Sequence, residues 1–169
     1  MRSEAWRAHP EESPAGAMTA IGVHLVDGMI DLFGLIREVY AQVSRRASKA
    51  ADDTTDIMLR FANGASGHIF CSTTATPHYR MAVYGTQGFG EILGHAMDTF
   101  RFVPSSGAVQ VRDSKGFGML RRELEAFAAS IEAKQPFPTP LDQILHGVAV
   151  FEAVVRSVKS GRPEAVAAT

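Results

Sequence analysis

Cysteine is nearly absent. Cys71 stands alone in 169 residues, which excludes an internal disulfide and any zinc site built from several thiolates. A reducing compartment suits such a chain, so a cytoplasmic location is the expectation. Long apolar runs are missing too: the longest candidate, Ala17 to Ile36, is broken by His24, Asp27 and Asp31, each costly at a bilayer centre. No membrane partner is therefore expected. Neither sign of charge dominates, because seventeen Lys plus Arg meet eighteen Asp plus Glu and leave a net charge of −1. No basic cluster exceeds Arg45-Arg46 or Arg121-Arg122, so the footprint of a nucleic-acid-binding surface is lacking. The stretch Met1 to Ala17 holds no apolar segment of the kind a secretory signal needs. Compositional bias is also missing, since 46% hydrophobic and 21% charged residues are ordinary globular values and argue against disorder.

What is present reads as one domain over residues 1–169, with 1–12 an irregular lead and 161–169 a flexible tail. Ser13 to Gly34 begins with a Ser-Pro start signal and stops at a glycine, as a helix does. On a regular wheel Met18, Ile21, Leu25, Met29 and Leu32 form the buried stripe. Ala20, His24, Asp27 and Asp31 form a narrow ridge on the opposite side. The period then changes to two: Val39, Ala41 and Val43 alternate with polar neighbours, and Ile57, Leu59 and Phe61 alternate with Asp56, Met58 and Arg60. Asn63-Gly64 follows as a two-residue hairpin signal of type I′. Further strands are expected at 65–76, 79–84, 90–93, 99–103 and 108–112. The last third is helical, with Leu120, Leu124, Phe127 and Ile131 on one apolar stripe and Ile144, Val148, Phe151 and Val155 on another. Thr139-Pro140-Leu141-Asp142 opens the final helix and Gly161 ends it. The expectation is an α+β fold: an open, mostly antiparallel sheet of about six strands with helices on one face. Such a sheet leaves its other face to be covered, so a homodimer or homotetramer through that face is expected.

His24 with Asp27 and Asp31 is the constellation whose spacing chemistry could use. A histidine and carboxylates one turn apart can share a proton, orient one another, or hold a polyhydroxylated ligand. The same spacing also describes the solvated face of an amphipathic helix. A metal site is the third reading, but no further ligands are supplied nearby. His68, His95 and His146 read as ordinary histidines, and Cys71 as a small core residue.

The string Gly16-Ala17-Met18-Thr19-Ala20-Ile21-Gly22-Val23-His24-Leu25-Val26-Asp27 resembles the Gly-Gly-x-x-x-Asp-x-Gly-x-His-x-x-Asp motif of the Gfo/Idh/MocA oxidoreductases, the glucose–fructose oxidoreductase and inositol dehydrogenase family. Trp6-Arg7, Asp52-Asp53, the hairpin Leu59 to Gly67, Val83 to Gly88, Glu123 to Phe127 and Ser157 to Arg162 are similar to family segments in the same order. The resemblance implies the C-terminal, substrate-binding and oligomerisation domain of an NAD- or NADP-dependent sugar or polyol dehydrogenase. It implies His24 as the catalytic group, assisted by Asp27, Thr19 or a residue from outside this chain. Read from the residues themselves, Arg7 is either a clamp on the substrate or a structural stack on Trp6, and Tyr79 with His78, at a strand start after Pro77, is a candidate to line the same pocket. Where the motif has its first Asp, this chain has Ala20. No segment supplies a Gly-x-Gly-x-x-Gly turn of the dinucleotide-binding kind, and the family's Glu-Lys-Pro motif is missing. The Rossmann domain is thus expected to be absent, with no cofactor held by this chain alone. The alternative is a non-enzymatic module that binds carbohydrate or only dimerises.

Overall fold

The period-2 stretch from 36 to 72 folds as an antiparallel meander. In the computed structural model, which describes residues 9, 11–49, 51–132 and 134–168, β1 (Ile36–Ser44), β2 (Thr54–Phe61) and β3 (Ser66–Ser72) pair in that order. On β2, from Thr55 onward, every second side chain is buried, so Ile57, Leu59 and Phe61 face inward while Asp56, Met58 and Arg60 face solvent. The chain divides into two compact units, Met1–Ala75 with Thr139–Thr169, and Thr76–Pro138. Where the sequence suggests one sheet of about six strands, there are two sheets of four. The α+β class and the antiparallel pairing hold in both.

In the first unit a π turn (Met18–Gly22) leads into α1 (Val23–Phe33), and α3 (Leu141–Ser160) closes the core. Val26 and Ile30 of α1 and Val150, Ala153 and Val154 of α3 pack on Val39, Ala41, Ile57, Leu59, Phe61, Ile69 and Cys71. The segment after Gly161 is not loose. Gly161 turns in the left-handed region at φ 66°, and β8 (Glu164–Ala165) then pairs with the free edge of β1. The reason is an unfinished edge: Val166 N–H donates to the Arg37 carbonyl at 2.9 Å, and Ser157 Oγ accepts from Ala41 N–H at 2.9 Å.

The hairpin at Asn63-Gly64 also differs from expectation. Gly64 N–H donates to the Phe61 carbonyl at 3.1 Å, Phe61 N–H to the Ala65 carbonyl at 2.9 Å, and Gly64 at φ 90° is left-handed while Asn63 is not. This is a type I turn closed by a glycine bulge, with a loop of three residues. Asn63 is occupied elsewhere: its Oδ1 accepts from Ala65 N–H at 2.9 Å and its Nδ2 donates to the Phe33 carbonyl at 3.0 Å.

The second unit contains β4 (Tyr79–Gly85), β5 (Gly88–Gly94), β6 (Thr99–Pro104), β7 (Gln110–Asp113) and α2 (Met119–Ile131). The apolar stripe of α2 is exposed, from 55% at Phe127 to 70% at Leu120, and none of its residues is buried. Among the described residues of this unit Glu91 alone is buried. Arg80 Nε donates to its Oε2 at 2.7 Å and Arg101 Nε to its Oε1 at 2.6 Å. The Arg80 guanidinium, with Arg101 on the other side, holds the Glu91 carboxyl below its ordinary range.

The loop between β1 and β2 is organised by another buried carboxylate. Asp53 accepts N–H bonds from Arg46 at 3.1 Å, Ala47 at 2.7 Å and Ser48 at 2.6 Å, and an O–H bond from Thr54 at 3.0 Å. The Ser48 bond leads the lowering of its carboxyl well below the usual carboxylate range, outweighing the opposing effect of burial. A depressed folded pKa gives stability that is present above the unfolded value, about 4, and lost as pH falls below it. Urea midpoints measured from pH 7 to pH 3 should therefore decline. Asp53→Asn should cost roughly 2 kcal/mol at pH 7 and flatten that decline, because several donors lose a charged acceptor.

Candidate functional site

The segment bearing His24 begins with backbone that has to be satisfied away from water. Thr55 on β2 is fully buried, and its hydroxyl donates to the Ala15 carbonyl at 2.8 Å while accepting from Met18 N–H at 3.3 Å. Ala15 at φ 63° and Gly16 at φ 60° both lie in the left-handed region, so the chain doubles back there before entering the π turn. Gly16 has no substitute at that point, since a Cβ would stand 2.9 Å from the Asp52 carbonyl oxygen. Gly22 lies against Met18 and Cys71, where a Cβ would collide with the Met18 sulfur.

The π turn rephases the helix. Its i→i+5 pattern takes more residues per turn than the wheel used above. The inward stripe is consequently Met18, Gly22, Val26 and Ile30, whereas Ile21, Leu25 and Met29 are half-buried and Leu32 is 55% exposed. The polar ridge comes out as expected, with His24, Asp27 and Asp31 all exposed. Among the described residues, no group of three or more His, Cys, Asp and Glu is arranged to hold a metal ion.

Asp27 has one partner that sequence reasoning missed. Gln143 Nε2, in the first turn of α3, donates to Asp27 Oδ1 at 3.3 Å. One turn further along, His146 is buried and its Nε2 accepts from Ile36 N–H at 2.9 Å, with burial lowering its pKa. Protonation would abolish that acceptor, so His146 is a structural tie and not a surface histidine. Only proximity in the fold relates Gln143 to Asp27, because 116 residues separate them.

The remaining expected site residues are distributed unevenly. Thr19 is half-buried and its hydroxyl donates to the Pro14 carbonyl at 2.5 Å, which commits that donor to its own chain. Ala20 is half-buried on the same turn. Tyr79 opens β4 in the second unit, half-buried, its ring centroid 6.2 Å from that of His95. Arg7 lies outside the described residues. Cys71 is the core residue expected; its thiol donates to the Thr55 carbonyl at 3.8 Å and burial pushes its pKa up to about 11.

A family model described as the GFO/IDH/MocA C-terminal domain matches residues 1–91. The trans-1,2-dihydrobenzene-1,2-diol dehydrogenase of Sus scrofa is 28% identical over 79 residues, which is 46% of this chain and 24% of that protein. Among solved structures, the aldose-aldose oxidoreductase from Caulobacter crescentus, complexed with glycerol, superimposes with a TM-score of 0.82 at 20% identity, over 98% of this chain and 52% of that one. The WlbA dehydrogenase from Bordetella pertussis, in complex with NADH and UDP-GlcNAcA, gives a TM-score of 0.78 at 19% identity, over 99% and 52%. The chain thus spans about half the length of these solved relatives and a quarter of the curated one.

Thr55→Val should free the Ala15 carbonyl and the Met18 N–H, which bond each other at 3.2 Å, from their tie to β2, costing about 1 kcal/mol by chemical denaturation. The His24 imidazole signals should shift in the same variant, as the start of the helix loosens.

Proposed function

The chain belongs to the GFO/IDH/MocA C-terminal domain family, and from that premise we propose that it is the substrate-binding and oligomerisation domain of an NAD(P)-dependent oxidoreductase of sugars or polyols, inactive by itself. The observation that carries this reading is the exposure of His24 with Asp27 one turn later, inside the matched segment, on a helix braced from beneath by β2. The relatives described as an aldose-aldose oxidoreductase with glycerol and as a dehydrogenase with UDP-GlcNAcA support a polyhydroxylated substrate.

In this reading His24 accepts or returns the hydroxyl proton at an imidazole nitrogen, and Asp27, held by Gln143, accepts hydrogen bonds from neighbouring hydroxyls. Arg7 and Tyr79 are proposed as further substrate contacts. Thr19 would serve through its position on the π turn, because its hydroxyl proton is already given to Pro14. A cytoplasmic setting and self-association through the outer face of the first sheet belong to the same proposal.

The described residues do not fit a nicotinamide dinucleotide. Every strand pairing is antiparallel, whereas the dinucleotide fold needs a parallel strand running through a glycine-rich turn into a helix. Gly116-Phe117-Gly118 leads from β7 to α2, but it lacks the third glycine. The cofactor belongs to a further domain of the kind that the relatives' additional length allows.

Ala20 favours a second reading. With a methyl where the family motif carries a carboxylate, the site could bind carbohydrate without catalysing its oxidation.

NMR titration with myo-inositol, glucose and NADH tests the first reading. The two polyols should perturb His24 and Asp27 at millimolar concentration, His24→Ala should abolish the effect, and NADH should neither bind nor be turned over. Polyols that leave His24 unmoved, or tight NADH binding, would overturn it.

A further inference from the structure

The start of the final helix is held to the core by one side chain. Among the described residues of the first two turns of α3, Leu141–Val148, only His146 is buried, at 4% exposed, while Leu141, Ile144, Leu145 and Val148 all face solvent. The next buried residues are Ala149 and Val150. No side chain caps the helix at Pro140, and Gly147 lies inside the same stretch with open space where a Cβ would stand, so it weakens the helix without serving a close contact. These turns are therefore weak in themselves. Their hold on the sheet is His146 Nε2, which accepts from Ile36 N–H at 2.9 Å, where Ile36 is itself 1% exposed. Gln143, one turn nearer the start, reaches Asp27 of the candidate site.

We infer that the first two turns of α3 are an acid-released catch: protonation of His146 frees them from β1, so that Asp27 keeps its Gln143 partner only while the His146 ring is neutral. Calling Asp27 a substrate contact rests on the reading above; the catch itself does not. An imidazolium has no acceptor, so its Nε2–H would point at the Ile36 N–H, donor against donor, in a place buried away from water. Release removes that conflict and lets the charged ring reach solvent. The ionisable groups on the elements packed against α3 are His24, Asp27 and Asp31 of α1, Arg37 and Glu38 of β1, and Glu164 of β8. On α3 itself Asp142 stands one turn before the ring. Among the described residues none of these pairs with His146, and burial alone lowers its pKa. No carboxylate is there to keep the charged form in place. A histidine whose folded pKa is depressed stabilises the closed arrangement above the ordinary value, about 6.5, and loses that stabilisation as pH falls below it. The catch is shut at neutral pH and opens on acidification.

Proton–nitrogen correlation NMR of the chain, from about pH 7.5 to about pH 5 and so above the ordinary carboxylate range, tests the arrangement. The Ile36 backbone amide and the Gln143 side-chain amide should move together, with one midpoint below about 6.5. His24 stands one turn from Asp27, so His24→Ala is the control and should leave the transition at Ile36 in place. His146→Gln keeps an acceptor for the Ile36 N–H that does not titrate, and it should abolish the transition. Gly147→Ala strengthens the closed helix and should lower the midpoint by roughly half a pH unit, which keeps the test decisive if the buried change impairs folding. An Ile36 amide that stays still throughout, a transition that survives in His146→Gln, or a midpoint unmoved in Gly147→Ala would overturn the catch. An Ile36 amide that moves while Gln143 does not would overturn its link to the candidate site. No sugar enters these measurements, so polyols that leave His24 unmoved would overturn the functional reading and leave the catch standing.

Discussion

One buried hydroxyl sets the position of the candidate site. Thr55 is on the inward side of an inner strand of the first sheet, where the lead into the helix is bonded to it. A backbone carbonyl and a backbone N–H that bond each other at 3.2 Å lie there away from water, and a single Oγ ties both to the strand. With Ala15 and Met18 pinned, the π turn has a fixed start. The phase of α1 follows from that start, and with it the choice of Val26 and Ile30 for the core and of His24, Asp27 and Asp31 for solvent. The site is on the surface because the helix beneath it is held by its inner side.

The final helix fixes the rest of this unit by the same means. Two polar side chains of α3 are buried, and each completes backbone that the sheet leaves open: His146 for the first residue of β1, Ser157 for Ala41 beside the short β8. Ser157 Oγ also donates to the Arg162 carbonyl at 2.6 Å, which holds the turn after the helix. Buried polar groups paired in this way specify where a helix sits more narrowly than apolar contacts do, because an unpaired group is costly and a shifted methyl is not. Gln143 extends the arrangement outward to Asp27, so the candidate site is coupled to the core through α3 as well as through β2. The second unit is organised differently. Its buried centre is Glu91 between two arginines, and its larger apolar side chains remain at least partly exposed.

Much of this was legible in the residues. Alternation located β1 and β2 and named their inward side chains, since period two in a half-buried strand has one solution. The helical ridge of His24, Asp27 and Asp31 was also legible, because residues three and four apart share a face whichever way the helix is turned. The inward stripes of the helices were not. In α3 the bulky Ile144 and Val148 are 43% and 54% exposed, while the buried set includes Ala149, Ala153 and Ser157. A wheel weighs side-chain size, whereas a helix lying close on a sheet needs small residues at the contact. In α1 the π turn displaced the stripe, and the hairpin took a longer loop because Asn63 was drawn to Phe33 and Ala65.

The sequence alone determined the fold class, the strand faces, the family likeness and the surface placement of the imidazole, all of which depend on local period or on contiguous motifs. Tertiary structure decided the division of the strands into two sheets, the pairing of the last residues with β1, the rotation of α1 and the contact of Gln143 with Asp27. Those outcomes depend on which buried donors and acceptors find one another across long separations, and no short-range pattern in the chain records that.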